Sequence, residues 1–276
     1  MPAKYPPDTV IVAAEALASE DPTEVIYSNI EVVNALLNEH FEHEEISTQA
    51  LQSYYVDYFL AQLNNGGFSQ FVYNSGWGEC IDYIIDGFTA MGATQHLELF
   101  ERAAGQMSEN PGIDGLKRFL ESEYFGDENP EREILNEFNE EFYALEETED
   151  LSDLNAAWLL GLPNLVALSQ DEIEEEIAAR VAEQPDREER VAAALEAEPR
   201  YMKLIRALCA AAGQEFDRVT AGDPSHTYLD EPILAWHFLT NQGHHHMLDL
   251  NGRALMLQGD TTELVAEIEA GPEYGE

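Results

Sequence analysis

The stretch STQALQSYYVDYFLAQLNNGGFSQFVYNSGW, Ser47 to Trp77, decides the fold. Ser47 and Thr48 are helix-start residues, and Tyr54, Tyr55, Tyr58, Phe59 and Leu63 follow at helical spacing. Asn64-Asn65-Gly66-Gly67 ends that helix, because Asn and Gly tolerate the left-handed backbone of a helix C-cap. A second helix resumes over 68–74, giving two aromatic-rich helices joined by a tight glycine turn. Asn65, Gly66, Gly67, Phe68, Gln70 and Asn74 then form a structural motif. The Gln70 and Asn74 amides are placed to hydrogen-bond the backbone groups left open at the helix ends.

Helical periodicity spreads in both directions. Upstream, a helical segment opens at Asp8 with Val12, Leu17 and neighbouring alanines apolar. Asp21-Pro22-Thr23-Glu24 is a helix start for a segment whose inner face is Val25, Ile26, Ile30, Val33, Leu36 and Leu37. Downstream, helices are expected at 78–91, 94–107, 113–122 and 131–147. In the last of these Ile134, Leu135, Phe138, Phe142 and Leu145 face inward and Glu133, Glu137, Glu140, Glu141 and Glu147 outward. Outer carboxylates on such a helix recur about every 5–6 Å along the axis, close to the phosphate spacing of a nucleic-acid strand.

Residues 148–168 are less regular and contain Gly161 and Pro163, which places a domain junction near 150. A first domain, 1–150, is expected to be acidic and all-helical, and a second, 151–276, helical with a small sheet. In the second, Ser169 to Glu172 reads as a capping box, opening a helix with Ile173, Ile177 and Val181 inward and Glu172, Glu175, Glu176 and Glu183 outward. Helices at 186–197 and 199–212 follow, bounded by Pro185 and Pro199. Trp236–Thr240, His244–Leu250 and Arg253–Gln258 read as strands joined by Asn241-Gln242-Gly243 and Asn251-Gly252, and a short helix from Thr262 to Ile268 closes the chain. The fold class is mainly α: a multi-helix N-terminal domain, a helical segment and a small C-terminal antiparallel β-meander.

Charge narrows the function. The 276 residues hold 55 Asp and Glu against 13 Lys and Arg, a formal net charge of −42. Charged residues are 25% of the chain, an ordinary share, so the anomaly is in the sign and not the amount. With 45% apolar residues the sequence builds a core rather than a disordered acidic tail. Between Lys4 and Arg102 there is no Lys or Arg in 97 residues that carry 16 acids, and between Arg118 and Arg180 Arg132 alone stands among 19 acids. Residues 1–150 set 5 cations against 31 acids and residues 151–276 set 8 against 24. Phosphate backbones are bound by cationic surfaces, so direct nucleic-acid binding is excluded. A compact chain of this length is about 50 Å across, and duplex DNA carries about 30 charges over that length. The protein can therefore present a face of DNA-like charge density.

Motifs for chemistry are sparse. No GxxxxGK[ST], GxGxxG or GxSxG pattern occurs, and carboxylate pairs are too abundant to single out a catalytic dyad, so the chain is not read as an enzyme. His244 and His246 share one side of a strand with a spacing that suits one metal ion, but that side also carries Trp236, Phe238, Leu248 and Leu255, a core face. These histidines and His237 are read as core or turn residues. His40 and His43 match no metal motif, and no metal or cofactor is assigned. Cys80 and Cys209 are read as core thiols. The N-terminus lacks signal-peptide character and no apolar run approaches a membrane span, so a cytoplasmic location and no membrane contact are expected.

NGGFSQFVYNSG, AMGA at Ala90–Ala93 and FNEEFYALEE at Phe138–Glu147 together resemble the bacterial DNA-mimic protein family, whose shared domain is otherwise of unknown function. The resemblance covers roughly residues 20–150. It implies an all-helical domain and, as in characterised relatives, an acidic surface that occupies the DNA-binding site of a transcription factor. The independently derived charge agrees with that role. The expected partner is a basic regulator or nucleoid-type protein, or alternatively a basic toxin such as a nuclease held by an immunity protein; a homo-oligomer is compatible with either. Candidate partner-binding residues are Glu133, Glu137, Glu140 and Glu141, then Glu39, Glu42, Glu44 and Glu45. A third reading, adaptation to high salt, needs no partner and accords with 3 Lys against 10 Arg.

Overall fold

The computed structural model describes residues 2–109, 112–122, 124, 130–229, 231–250, 252–259, 261 and 263–275. The chain divides into two compact units, Met1–Arg187 and Glu188–Glu276. That boundary lies well beyond the expected junction near 150.

The first unit opens with strand β1 (Val10–Ala13) and the single helical turn α1 (Ala14–Leu17). The segment from Asp8 is therefore a strand before it is a helix. Val10, Ile11 and Val12 are fully buried, and a short β-branched run buried on both faces suits a parallel strand better than a helix. Next come α2 (Glu24–Asn38), a 3-10 turn (His43–Glu45), α3 (Thr48–Ser75), α4 (Cys80–Met91), α5 (Thr94–Glu109), α6 (Gly112–Glu121), α7 (Pro130–Asn136), α8 (Asn139–Glu146) and α9 (Leu151–Leu160). Strand β2 (Leu165–Leu168) pairs in parallel with β1, Val10 opposite Leu165 through Ala13 opposite Leu168. Helix α10 (Gln170–Glu183) follows, opened by the Ser169/Glu172 capping box that the sequence indicates. The irregular stretch 148–168 is thus α9 and β2. Ala156, Leu159, Leu168 and Ile173 share one core with β1 and α2, which holds residues 151–187 in the first unit.

A second core in this unit is built on aromatics. Phe59 of α3 lies edge-on to Phe68, Phe71, Phe88, Phe100 and Phe142, with ring centroids 5.0–5.9 Å apart. Edge-on pairs place the positive rim of one ring against the negative face of another and add about 0.5–1.5 kcal/mol each beyond burial.

Glu176, expected on the outer face of its helix, is 4% exposed and pairs with Arg180 (Oε1 to Nε 3.0 Å), itself 8% exposed. Its carboxylate also accepts the backbone N–H groups of Lys4 (2.8 Å) and Tyr5 (3.3 Å), while Arg180 donates to the Pro6 carbonyl. A buried charge survives only when paired and hydrogen-bonded, and the N-terminal segment supplies those bonds.

Helix α11 (Arg187–Ala197) leads to the second unit, in which α12 (Arg200–Ala212) covers a five-stranded antiparallel sheet. The strands are β3 (Phe216–Asp223), β6 (Ala235–Thr240), β7 (Gly243–Asp249), β8 (Arg253–Gln258) and β9 (Leu264–Glu269), in that spatial order; β4 (Thr227–Tyr228) and β5 (Glu231–Pro232) form a small separate hairpin. The mainly helical chain ending in an antiparallel sheet agrees with the expected fold class. Two details are corrected. The helix expected from Thr262 to Ile268 is β9 from Leu264 onward, Thr262 itself lying outside the described residues. Unpaired backbone groups on β8 outweigh the helix propensity of Leu, Ala and Glu. Strand β3, which has no clear apolar alternation and two irregularities in its pairing with β6, was not foreseen.

Candidate functional site

The glycine turn proves to be a hinge. Hydrogen bonding runs helically through α3, but Gly67 has φ 79° and ψ −170°, a conformation open to glycine alone. The break leaves backbone donors open at the restart, and neither Gln70 nor Asn74 serves them: both amides donate to the Gln62 side chain instead, at 3.2 and 2.7 Å. The partners come from elsewhere. Asn139 of α8 takes the N–H of Phe68 (3.0 Å), Asn136 of α7 takes that of Ser69 (3.2 Å), and the Tyr143 hydroxyl donates to the Leu63 carbonyl (2.9 Å). NGGF and FNEEFYALEE, far apart in sequence, are two halves of one hydrogen-bonded joint.

That joint reshapes the expected acidic row. Residues 131–147 are not one helix: α7 ends at Asn136, Glu137 and Phe138 form a turn, and α8 starts at Asn139. Asn136 and Asn139 are held by α3, and the regular carboxylate spacing is lost between them. Glu133, Glu137, Glu140 and Glu141 are all exposed, but Glu141 is ion-paired with Arg102. Of the second set, Glu39 is paired with Arg187, and the Glu45 carboxylate accepts the Glu42 backbone N–H (2.9 Å) to close the 3-10 turn. Glu42 and Glu44 remain exposed.

The first unit holds 7 Lys and Arg against 39 acids, and its cations are engaged locally. Lys117 pairs with Glu121, Arg118 with Glu131, Arg180 with Glu176, and Arg132 donates to the Tyr124 carbonyl; Lys4 lies over the Tyr5 ring. One bare face is one that the sequence did not single out. Glu44 of the 3-10 turn, Glu79 at the start of α4 and Asp82 one turn on converge on the Tyr83 phenol, whose pKa is raised by burial first and then by these three carboxylates. Asp86 continues the line on α4 at i+4 from Asp82. Glu44, Glu79, Asp82 and Asp86 are exposed, and none is in an ion pair with Lys or Arg among the described residues. Periodicity could have placed 79, 82 and 86 on one outer stripe. Their meeting with Glu44 needed the fold.

His43 ties this face to the core. Its Nε2 lies 2.8 Å from the Tyr55 hydroxyl and its Nδ1 3.4 Å from Glu79 Oε2, with Tyr55 and Tyr83 edge-on to the ring at 5.5 Å. Burial, chiefly, holds the Tyr55 phenol well above its ordinary pKa, so the hydroxyl keeps its proton in this contact, and the imidazole bridges it to the Glu79 carboxylate.

In the second unit, His244 and His246 share a side with Leu248 and Leu255, as expected, but Trp236 and Phe238 lie on the opposite face: His237, not either aromatic residue, stands across from His246. His245 and His246 are buried. Among the described residues no group of three or more His, Cys, Asp or Glu side chains is arranged to hold a metal ion. Both cysteines are free and buried, and burial raises both thiol pKa values. No described helix is long and apolar enough to cross a membrane.

The first unit is thus a helical assembly on an aromatic core, with its cations engaged locally and a carboxylate face that has no Lys or Arg partner among the described residues. Residues 44–162 match the DMP19-like protein family. That segment takes in the Gly67 joint, α4 with its acidic edge, and α5 to α9. No curated protein and no solved structure matches the chain.

Proposed function

We propose that the protein is a DNA mimic: the first unit presents its carboxylates to the cationic DNA-binding surface of a transcription regulator or nucleoid-type protein and keeps DNA away from it. The observation that carries this reading is the face formed by Glu44, Glu79, Asp82 and Asp86, which has no Lys or Arg counter-charge among the described residues. The DMP19-like match supports it, since that family is named for DNA mimicry. Rows of carboxylates facing Arg and Lys form charge-assisted hydrogen bonds and steer the encounter at long range. The exposed Glu42, Glu133, Glu137 and Glu140 extend the interaction set.

Affinity capture from a native lysate at about 0.1 M and about 0.5 M salt, with duplex DNA as competitor, tests this. One basic DNA-binding protein, released by high salt and displaced by the duplex, is the expected result. Selective capture and inhibition of a nuclease, with operator binding by regulators unaffected, would replace the regulator by a toxin. A nonspecific set of basic proteins would remove the mimic reading.

A further inference from the structure

We propose that the histidine-rich side of the five-stranded sheet is a proton-operated latch: His226, His237, His244 and His246, while neutral, hold the segment after β3 against the sheet, and they release it on protonation. Four imidazoles from three segments meet here. The His226 ring, between β3 and β4, lies 4.9 Å from that of His246; His237 of β6 lies 5.5 Å from His246 and 5.1 Å from His244.

Two features of the cluster resist full protonation. His237 Nδ1 and His244 Nε2 are 3.0 Å apart, a hydrogen bond in which one nitrogen donates and the other accepts. With both rings protonated, both nitrogens would be donors and the contact would become repulsive. His246 Nδ1 faces the Gly259 carbonyl and carries the hydrogen, which leaves Nε2 a bare acceptor, buried and without a partner. A proton there would make a buried cation with nothing to accept its hydrogen bond. Burial, chiefly, and the neighbouring imidazoles hold His246 below the ordinary histidine range. Asp223 at the end of β3 brings a carboxylate near the cluster; it accepts hydrogen bonds from Ser225, which chiefly, with His226 and His237 beside it, hold its pKa below the usual carboxylate value. Strand β8 sets Leu257 opposite His246, and His245 points to the other face.

The latch has something to release. The His226 carbonyl accepts the Ile233 N–H (2.9 Å), closing the β4–β5 hairpin, and Tyr228 and Ile233 of that hairpin cover Ala235, Leu248, Leu255 and Leu257. Freeing His226 uncovers an apolar patch on the sheet.

Imidazole-selective NMR of the full chain from about pH 8 to about pH 5, with amide exchange over residues 227–234, tests the proposal. The opening equilibrium should change about tenfold per pH unit for each proton taken up, hence about a hundredfold where two bind together. His237→Gln combined with His244→Gln should reduce that to tenfold or less. Protection that stays flat over this range, or an equal loss in the double variant, overturns the latch. Should the variant fail to fold, the wild-type titration decides alone: four independent titrations near the ordinary histidine value of about 6.5, with the amides unchanged, are incompatible with it.

Discussion

Replacing Gly67 with Ala should cost the first unit about 2–6 kcal/mol, and the figure follows from two separate penalties. The backbone at φ 79° and ψ −170° is costly for any residue with a side chain, about 1–3 kcal/mol. A Cβ there would also lie 2.2 Å from Asn139 Nδ2 and 2.6 Å from Asn139 Oδ1, so the amide must leave. Its departure strips the Phe68 N–H of its acceptor, a further penalty of about 1–3 kcal/mol. At about 2–4 °C per kcal/mol for a unit of this size, the thermal midpoint should fall by about 4–24 °C. Far-UV circular dichroism with heat and urea measures it. Asn139→Ala alone forfeits only the cap, about 1–3 kcal/mol, and combining it with Gly67→Ala should cost less than the sum, because the clash and the cap are lost through the same amide. A loss below about 0.5 kcal/mol for Gly67→Ala, or strict additivity in the pair, would refute the joint described here.

Charge reversal at Glu79 and Asp82 to Lys should weaken binding of the captured partner at least tenfold in a titration at about 0.1 M salt, and by more than Glu141→Lys, whose carboxylate already answers Arg102; equal effects would move the interface away from α4. Arg180→Met leaves Glu176 buried and unpaired and should cost about 3–5 kcal/mol by urea unfolding; an unchanged midpoint would mean that water reaches the pair. Asp57 is held above the usual carboxylate pKa by burial, so its folded state takes up a proton before the unfolded state does, and its contribution to stability rises as pH falls through that interval. Asp57→Asn should therefore stabilise the protein at neutral pH and flatten the acid limb of the profile; a destabilised variant would point to an unseen partner for the carboxylate. Added salt up to about 0.3 M should raise the stability of the first unit more than that of the second, read by amide exchange, and an equal response would show that repulsion is not concentrated in the first.

Element by element, the sequence was informative where one physical signal dominated. The Asn-Gly run marked the α3 break, the Ser169/Glu172 box marked α10, and alternation with turn residues marked β6 to β8. It misled where a distant segment decides the outcome. Val10–Ala13 is a strand because Leu165–Leu168 pairs with it, and Leu264–Glu269 is a strand because β8 offers an open edge, although its residues favour helix. Glu176 is inside because backbone N–H groups 171 and 172 positions away come to it. The site divides in the same way. That the charge is concentrated early in the chain was legible; that Glu39 and Glu141 are neutralised by Arg187 and Arg102, each far off in sequence, was not.

The placement of the few cations bears on why the chain is acidic. The charge divides roughly by length, since the first unit, Met1–Arg187, holds 39 of 55 acids and 7 of 13 cations and stands at −32 against −10 for the second, so what bears on the question is where the cations sit within the first unit. Within the first unit, cations are drawn into ion pairs or carbonyl contacts on α5 to α8 and α10, while α4 and the 3-10 turn keep Glu44, Glu79, Asp82 and Asp86 together without one. Like charges at helical spacing cost a few tenths of a kcal/mol per pair, and Tyr83 sits among them with its phenol proton held on. The edge-on aromatic core behind α4, Phe88 against Phe59 and Phe100, offsets that repulsion and fixes the helix that bears it. A salt-adapted surface would account for the total charge, whereas carboxylates grouped without a Lys or Arg counter-charge among the described residues are what the proposed DNA mimicry requires.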